Sequence, residues 1–131
     1  MDTRPVRFQS PAWRTGDALV GVLARAGVGP HTKPVVPVEH EGRRWLVAPY
    51  GPVGWVRNAR ADARLVLRHG RDSREYVARE ATAAEAGPVI KRYLNVASKV
   101  RSWFPVPADA PVEEFLAAAP AYPVFELLPA P

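Results

Sequence analysis

The stretch "RRWLVAPYGPVGWVRNARADARLVLRHG", Arg43 to Gly70, decides how this chain folds. Two apolar runs, "WLVAP" and "ARLVL", read as strands because β-branched and aliphatic residues follow one another in short blocks bounded by turn formers. Two residues would suffice to reverse the chain between them. Residues 50–62 are spent instead on Gly, Pro, Trp, Arg and Asn.

Outward from this centre the pattern stays that of an antiparallel protein. On the N-terminal side "HEGR" is a turn with Gly42 at its tight point. The preceding "KPVVPVE", Lys33 to Glu39, is a strand whose Pro34 and Pro37 lack ladder donors, so it is expected at an edge or interrupted. On the C-terminal side "HGRDSR" turns the chain into "EYVAREA". "TAAE", Thr82 to Glu85, matches a capping box. The helix it opens puts Val89, Ile90, Tyr93, Leu94 and Ala97 on one stripe. "WFPVPADAP" is a loop, "VEEFLAAA" a short helix, and "YPVFELL" a fifth strand. At the other end, Ala18, Leu19, Val22, Leu23 and Ala26 fall on a helical stripe, which predicts a helix over 13–27 after a loosely held tail, 1–12. Strands one and two are joined by a tight turn, which argues against a doubly wound parallel fold. The expected class is α+β, an antiparallel sheet curled into a small barrel over 33–128, in one domain of 131 residues.

Composition narrows the chemistry. There is no cysteine, hence no disulfide, thiolate metal site or cysteine nucleophile. No apolar run approaches the roughly 18 residues of a membrane span, and the N-terminus carries no signal-peptide pattern, so a cytoplasmic protein is expected. The net charge is +5, and 15 of the 18 basic residues are arginine. Such a surface suits an anionic partner, but a solvated positive face has the same composition. His31, His40 and His69 lack metal-ligand spacing, and no nucleophile elbow, Walker loop or GxGxxG is present. No metal is expected.

What remains is the connection. "APYGPVGWVRN" sets permissive backbone directly after a strand, where N–H groups can approach a ligand. Trp55 offers a flat apolar face, and Arg57 and Asn58 follow as donors. A short helix over "GWVRNARAD" would add its dipole. Singly, Trp55 reads equally as core, Asn58 as a turn residue and Arg57 as a surface charge; together they suit a flat heteroaromatic with an anionic tail.

In this order the residues resemble the deazaflavin-dependent nitroreductase family of actinobacteria, split β-barrels that use coenzyme F420, an 8-hydroxy-5-deazaflavin. The pattern appears as "GPHTKPV", "EGRRWLVAPYG" and "WVRNARAD", and the likeness runs from about residue 21 to 104. The resemblance implies that His31, Thr32, Lys33 and Pro34, with Arg25, Arg57 or Arg60, meet the anionic tail. It implies that Ala48, Pro49, Tyr50 and Gly51 lie against the ring, and that Trp55 and Asn58 line the groove. Two departures matter. The basic run that many members carry before the first strand is here "AGVGPHTKP", and Pro49 removes a backbone donor. The activity implied is hydride transfer from reduced deazaflavin to a quinone, nitroaromatic or similar conjugated acceptor, with Tyr50 and Tyr93 as candidate proton donors, Tyr93 reading also as a structural tyrosine. FMN is the less favoured cofactor. Related split barrels often dimerise and their N-terminal segments can contact membrane, so the resemblance implies a homodimer and peripheral membrane contact beside the small-molecule acceptor. Two other readings stand beside this one: a protein that holds F420 or a flavin without turnover, and a basic barrel that binds nucleic acid. The last ranks lowest and nucleic acid is not an expected partner, because "RLVLRHGRDSREYVAR" offers only Tyr76 as a stacking platform.

Overall fold

A computed structural model describes residues 20–24, 31–69 and 72–130. Seven strands form one antiparallel sheet: β1 (Val20–Ala24), β2 (His31–Val35), β3 (Val38–His40), β4 (Arg43–Val47), β5 (Arg64–His69), β6 (Asp72–Glu80) and β7 (Val124–Pro129). Four helices accompany them among the described residues: α1 (Gly54–Ala61), α2 (Ala83–Val96), α3 (Ser98–Arg101) and α4 (Val112–Ala118). A 3₁₀ turn, Ala119–Ala121, follows α4.

The strand order is β2-β1-β5-β6-β7-β4-β3, and this order alone requires the sheet to curl. Its two outer strands, β2 and β3, are consecutive in the chain and separated only by Val36 and Pro37. Six strand spacings laid flat would span about 29 Å, whereas three residue steps reach about 11 Å at most. The ends must therefore approach each other. Lys33 to Glu39 is thus both interrupted and at the edge, as its two prolines require.

Val20–Ala24 is a strand, which corrects the expected N-terminal helix over those residues. "VGVLA" is paired on both sides, Val22 opposite Lys33 of β2 and Leu67 of β5. Five apolar residues satisfy a helical stripe and a buried strand alike, and two flanking ladders select the strand. The rest of the expected helix, and the tail 1–12, lie outside the described residues.

Apolar residues separate into two clusters. Leu46, Trp55, Leu65, Leu67, Tyr76 and Phe125 belong to the one inside the barrel. Trp45, Val47, Ile90, Leu94, Phe115 and Val124 belong to the other, where α2 and α4 cover the sheet. β4 contributes to both through alternate residues, which is why "WLVA" reads as an unbroken apolar run. The β3–β4 hairpin turns on Glu41 and Gly42, both at positive φ (52° and 74°), as a tight two-residue hairpin demands. α2 opens on the expected capping box: the Glu85 amide donates to Thr82 Oγ1 and the Thr82 amide to Glu85 Oε1. Its stripe Val89, Ile90, Tyr93, Leu94 and Ala97 is buried.

Candidate functional site

The connection after β4 is shaped by its own backbone. The Ala48 amide donates to the Pro123 carbonyl at 2.8 Å, the Gly51 amide to Ala48 at 3.1 Å, and the Val53 amide to Gly51 at 2.7 Å. Gly51 holds φ +84°, a conformation L side chains rarely adopt. These bonds consume the N–H groups of Ala48, Gly51 and Val53, and Pro49 has none. A ligand at this loop therefore meets carbonyls and side chains more than the row of donors that the sequence suggests.

One step further on, the Val56 and Arg57 amides return to the Val53 carbonyl, and among the described residues those of Gly54 and Trp55 have no partner. Helix α1 starts at Gly54, and Val53 in the cap position provides no side-chain bond to its first amides. Its first turn contains no acidic residue, so the positive end of the helix is neither capped nor neutralised by its own side chains. The expected short helix over "GWVRNARAD" is present. Its uncapped amides could be read from sequence only as the absence of Ser, Thr, Asp or Asn at position 53.

The side chains of α1 divide by face. Trp55, Val56 and Ala59 turn inward and are buried. Trp55 is 5% exposed and its ring lies 5.7 Å from that of Phe125, tilted by 55°. Its indole thus sits in the core, one of the two roles that the sequence allows. Arg57 is exposed and Asn58 half-buried. The Asn58 carbonyl accepts the Asp62 amide at 2.9 Å, and among the described residues its side-chain amide has no partner. Arg60 is engaged elsewhere, with Nε and Nη2 at 2.9 and 2.6 Å from the Glu80 carboxylate. That removes it from the cations free to meet a ligand.

Tyr50 projects from the loop at 71% exposure. It stacks on Trp103, with ring centroids 5.2 Å apart and planes 21° apart. Trp103 follows α3, and as an apolar aromatic among Arg, Ser and Pro it carries no periodic signal in the sequence. Beneath the pair, Phe104 packs against Tyr122 at 4.6 Å. Tyr93 is buried in α2, and burial, with the Tyr50 phenol as a lesser cause, pushes its hydroxyl up to about 12. It fits a structural tyrosine. The exposed Tyr50 phenol is the one in contact with water.

His31, Thr32, Lys33 and Pro34 form most of edge strand β2, opposite Ala24, Leu23, Val22 and Gly21 of β1. Helix α1 packs against β1, so the topology sets 31–34 one strand away from Arg57 and Asn58. Arg25 lies outside the described residues. Two surface hollows, of about 250 and 100 Å³, are lined by neither group: one lies among His40, Arg43, Trp45 and Glu85, the other among Glu80, Ala83, Ala119 and Pro123.

Away from the loop a charged network ties the sheet to α2. Arg79 on β6 reaches Glu126 on β7 at 2.7 Å and Glu85 at 2.9 Å, and Arg43 approaches Glu126 at 3.4 Å. Hydrogen bonds from Arg79 and from the Thr82 backbone hold the Glu85 carboxyl down to about 2. Among the described residues no group of three or more His, Asp or Glu could hold a metal ion, and no helix is long and apolar enough to cross a membrane.

Comparison with known proteins agrees with this architecture. HutZ, the heme storage protein of Vibrio cholerae, superposes with a TM-score of 0.62 at 11% identity, over all of this chain and 92% of its own. An FAD-binding protein from Mesorhizobium loti gives 0.56 at 14% identity, over 89% and 82%. A conserved hypothetical protein from Mycobacterium tuberculosis gives 0.55 at 17%, over 86% and 73%. At such identities the likeness is one of fold, the α+β split β-barrel. No curated protein matches the chain. The sequence profile described as F420H(2)-dependent quinone reductase matches residues 14–103, a span that holds β1 to β6, the uncapped helix α1, the Tyr50 loop and Trp103. The chain belongs to the F420H(2)-dependent quinone reductase family.

Proposed function

We propose that the protein transfers a hydride from reduced F420 to a quinone, or to a nitroaromatic acceptor of similar conjugation, with the coenzyme lying against the Tyr50 loop, the start of α1 and strand β2. The observation that carries this reading is the family match over 14–103, which contains all three segments. The residues present fit the coenzyme. The amides opening α1 and the exposed Arg57 suit an anionic group, and Asn58 offers an unengaged amide beside them. Residues 31–33 lie on edge strand β2, next to β1. Pro49 and the internally bonded loop supply shape more than hydrogen bonds.

When bound, reduced F420 supplies the hydride; the chain positions the partners and excludes water. Tyr50 is the candidate to deliver a proton to a reduced acceptor, a reading supported by its exposed phenol, which water can reprotonate. Its stacking on Trp103 fixes the ring.

Oxidation of reduced F420 by menadione or a nitroaromatic, dependent on the protein, tests the activity. Fluorescence titration with F420, FMN and FAD tests the cofactor. Tight F420 binding without oxidation would identify a carrier, and FMN binding as tight as F420 binding would overturn the cofactor assignment.

A further inference from the structure

We propose that the acceptor reduced by this protein carries a negative charge, and that Arg101 and Arg92 select it. The inference rests on the functional reading above and narrows it to quinones, or similar planar acceptors, that bear an acidic substituent. Its starting point is the stack of Tyr50 on Trp103, with ring centroids 5.2 Å apart. That contact brings the turn after α3 to the loop against which the coenzyme is assigned. Trp103 is 46% exposed, and local structure holds it outward. Val100 and Phe104 are buried in the helical cluster, and the Trp103 and Phe104 amides both return to the Val100 carbonyl, at 3.2 and 3.1 Å. The two rings thus form a fixed apolar wall on which a flat ring can lie.

Charge around this wall is one-sided. Residues 50–59 and 86–105 contain Arg57, Lys91, Arg92, Lys99 and Arg101 and no Asp or Glu. Lys91 is engaged with the Ala110 carbonyl at 2.6 Å. Arg57, Arg92 and Arg101 are exposed, and among the described residues none of the three reaches a carboxylate. Arginines elsewhere on the surface do: Arg43 approaches Glu126, Arg60 Glu80, Arg64 Glu75 and Arg79 Glu85. Cations left unpaired on one face raise a positive potential there and draw anions. Arg57 stands on α1, where the anionic group of the coenzyme is assigned. Arg101 shares its turn with Trp103, and Arg92 lies on the helix before it, so their charge acts on what rests against the aromatic wall. The acidic substituent takes no part in the chemistry: a hydride and a proton turn the quinone into the hydroquinone as the coenzyme is oxidised.

Menadione and naphthoquinone sulfonate test the proposal, since they share a ring system and differ in one substituent, a methyl group against an anion. In fluorescence titrations of the coenzyme-free protein, the sulfonate should bind about tenfold more tightly than menadione at low salt, from two exposed ion contacts at about threefold each. High salt should narrow the difference. Arg101→Gln should lower the preference for the sulfonate about threefold, both in binding and in the ratio of kcat/KM values for oxidation of reduced F420. Arg92→Gln should lower it likewise, and Trp103→Ser should weaken both compounds alike. Thermal melts establish that each variant is folded. Equal binding of the two compounds by the wild-type protein overturns the proposal, as does a preference that both arginine substitutions leave unchanged. A loss of F420 affinity in Arg101→Gln overturns it too, because that arginine would then serve the coenzyme. If neither compound oxidises reduced F420, the functional reading falls and the acceptor assignment with it; if both do so without the charge preference, only the acceptor assignment falls.

Discussion

Trp55→Ala separates a core role from a wall role for the residue at the centre of the connection. At 5% exposure, the indole buries about 200 Å². At about 25 cal/mol per Å² that area is worth about 5 kcal/mol. The unfolded chain already shields part of it, which lowers the figure, and aromatic-to-alanine changes in cores cost about 3–5 kcal/mol. Unfolding 131 residues releases about 0.28 kcal/mol per kelvin at about 2.1 cal/mol/K per residue. The melting temperature should therefore fall by about 11–18 °C in a calorimetric or circular-dichroism melt of the coenzyme-free protein. Trp55→Phe, which keeps the contact with Phe125, should lose about a third of that and leave F420 affinity within about threefold. A fall of less than about 5 °C for Trp55→Ala would refute the placement: the indole would then be a partly solvated wall, and its burial against the barrel core would be wrong.

Three further outcomes are expected. A Cβ on Gly87 would meet Leu116 Cδ2 at 2.6 Å and the Leu116 amide nitrogen at 3.1 Å; the overpacking, about 1–3 kcal/mol, outweighs the roughly 1 kcal/mol that alanine adds to a helix, so Gly87→Ala should lower the melting temperature, and a rise would show that α2 and α4 are not in close contact. The Glu85 carboxyl is held down, from 4.5 to about 2, by Arg79 and the Thr82 backbone; a depressed carboxylate stabilises the fold above its unfolded value and loses that stabilisation as pH falls toward 2, so melts from pH 5 to 2 should decline more steeply in the wild-type protein than in Arg79→Gln. Burial raises the Tyr93 hydroxyl to about 12, so its contribution is complete below about pH 10 and is lost as pH rises toward 12; Tyr93→Phe should shift the alkaline unfolding midpoint upward, and an unchanged midpoint would mean that Tyr93 does not limit stability there.

Local chemistry was legible and long-range pairing was not. The Thr82–Glu85 box and the stripe of α2 depend on residues within a turn or two of one another, so the sequence displays them directly. The interruption at Val36–Pro37 follows from proline's missing donor. β1 was invisible because "VGVLA" is too short for its period to decide between helix and strand, and the ladders with β2 and β5 that decide it come from elsewhere in the chain. For the same reason Arg60 reads as a free cation: Glu80, which binds it, is twenty residues away. The loop's sequence suggests more free donors than it has, because Ala48 donates to the Pro123 carbonyl of a distant segment and Gly51 and Val53 donate within the loop itself. Trp103 acquires meaning only through Tyr50, which the fold brings beside it.

The long connection has a topological cause. β4 and β5 are not neighbours; β7 and β6 lie between them, so no two-residue turn could join them. The chain must travel about three strand spacings, some 14 Å, and α1 makes that crossing with Trp55, Val56 and Ala59 turned into the barrel. Its other face carries polar residues, of which Arg60 is tied to Glu80 and Arg57 is exposed. Asn58 is half-buried, with a backbone carbonyl that ends the helix and a side-chain amide without a partner among the described residues. Asn58→Ala removes only that amide and substitutes a better helix former. The melting temperature of the coenzyme-free protein should stay within about 4 °C, the equivalent of about 1 kcal/mol for a chain of this length. F420 affinity should fall several-fold, as expected for loss of a hydrogen bond worth about 1 kcal/mol. A sharp loss of stability with unchanged affinity in the folded fraction would make Asn58 a structural turn residue and move the coenzyme away from α1.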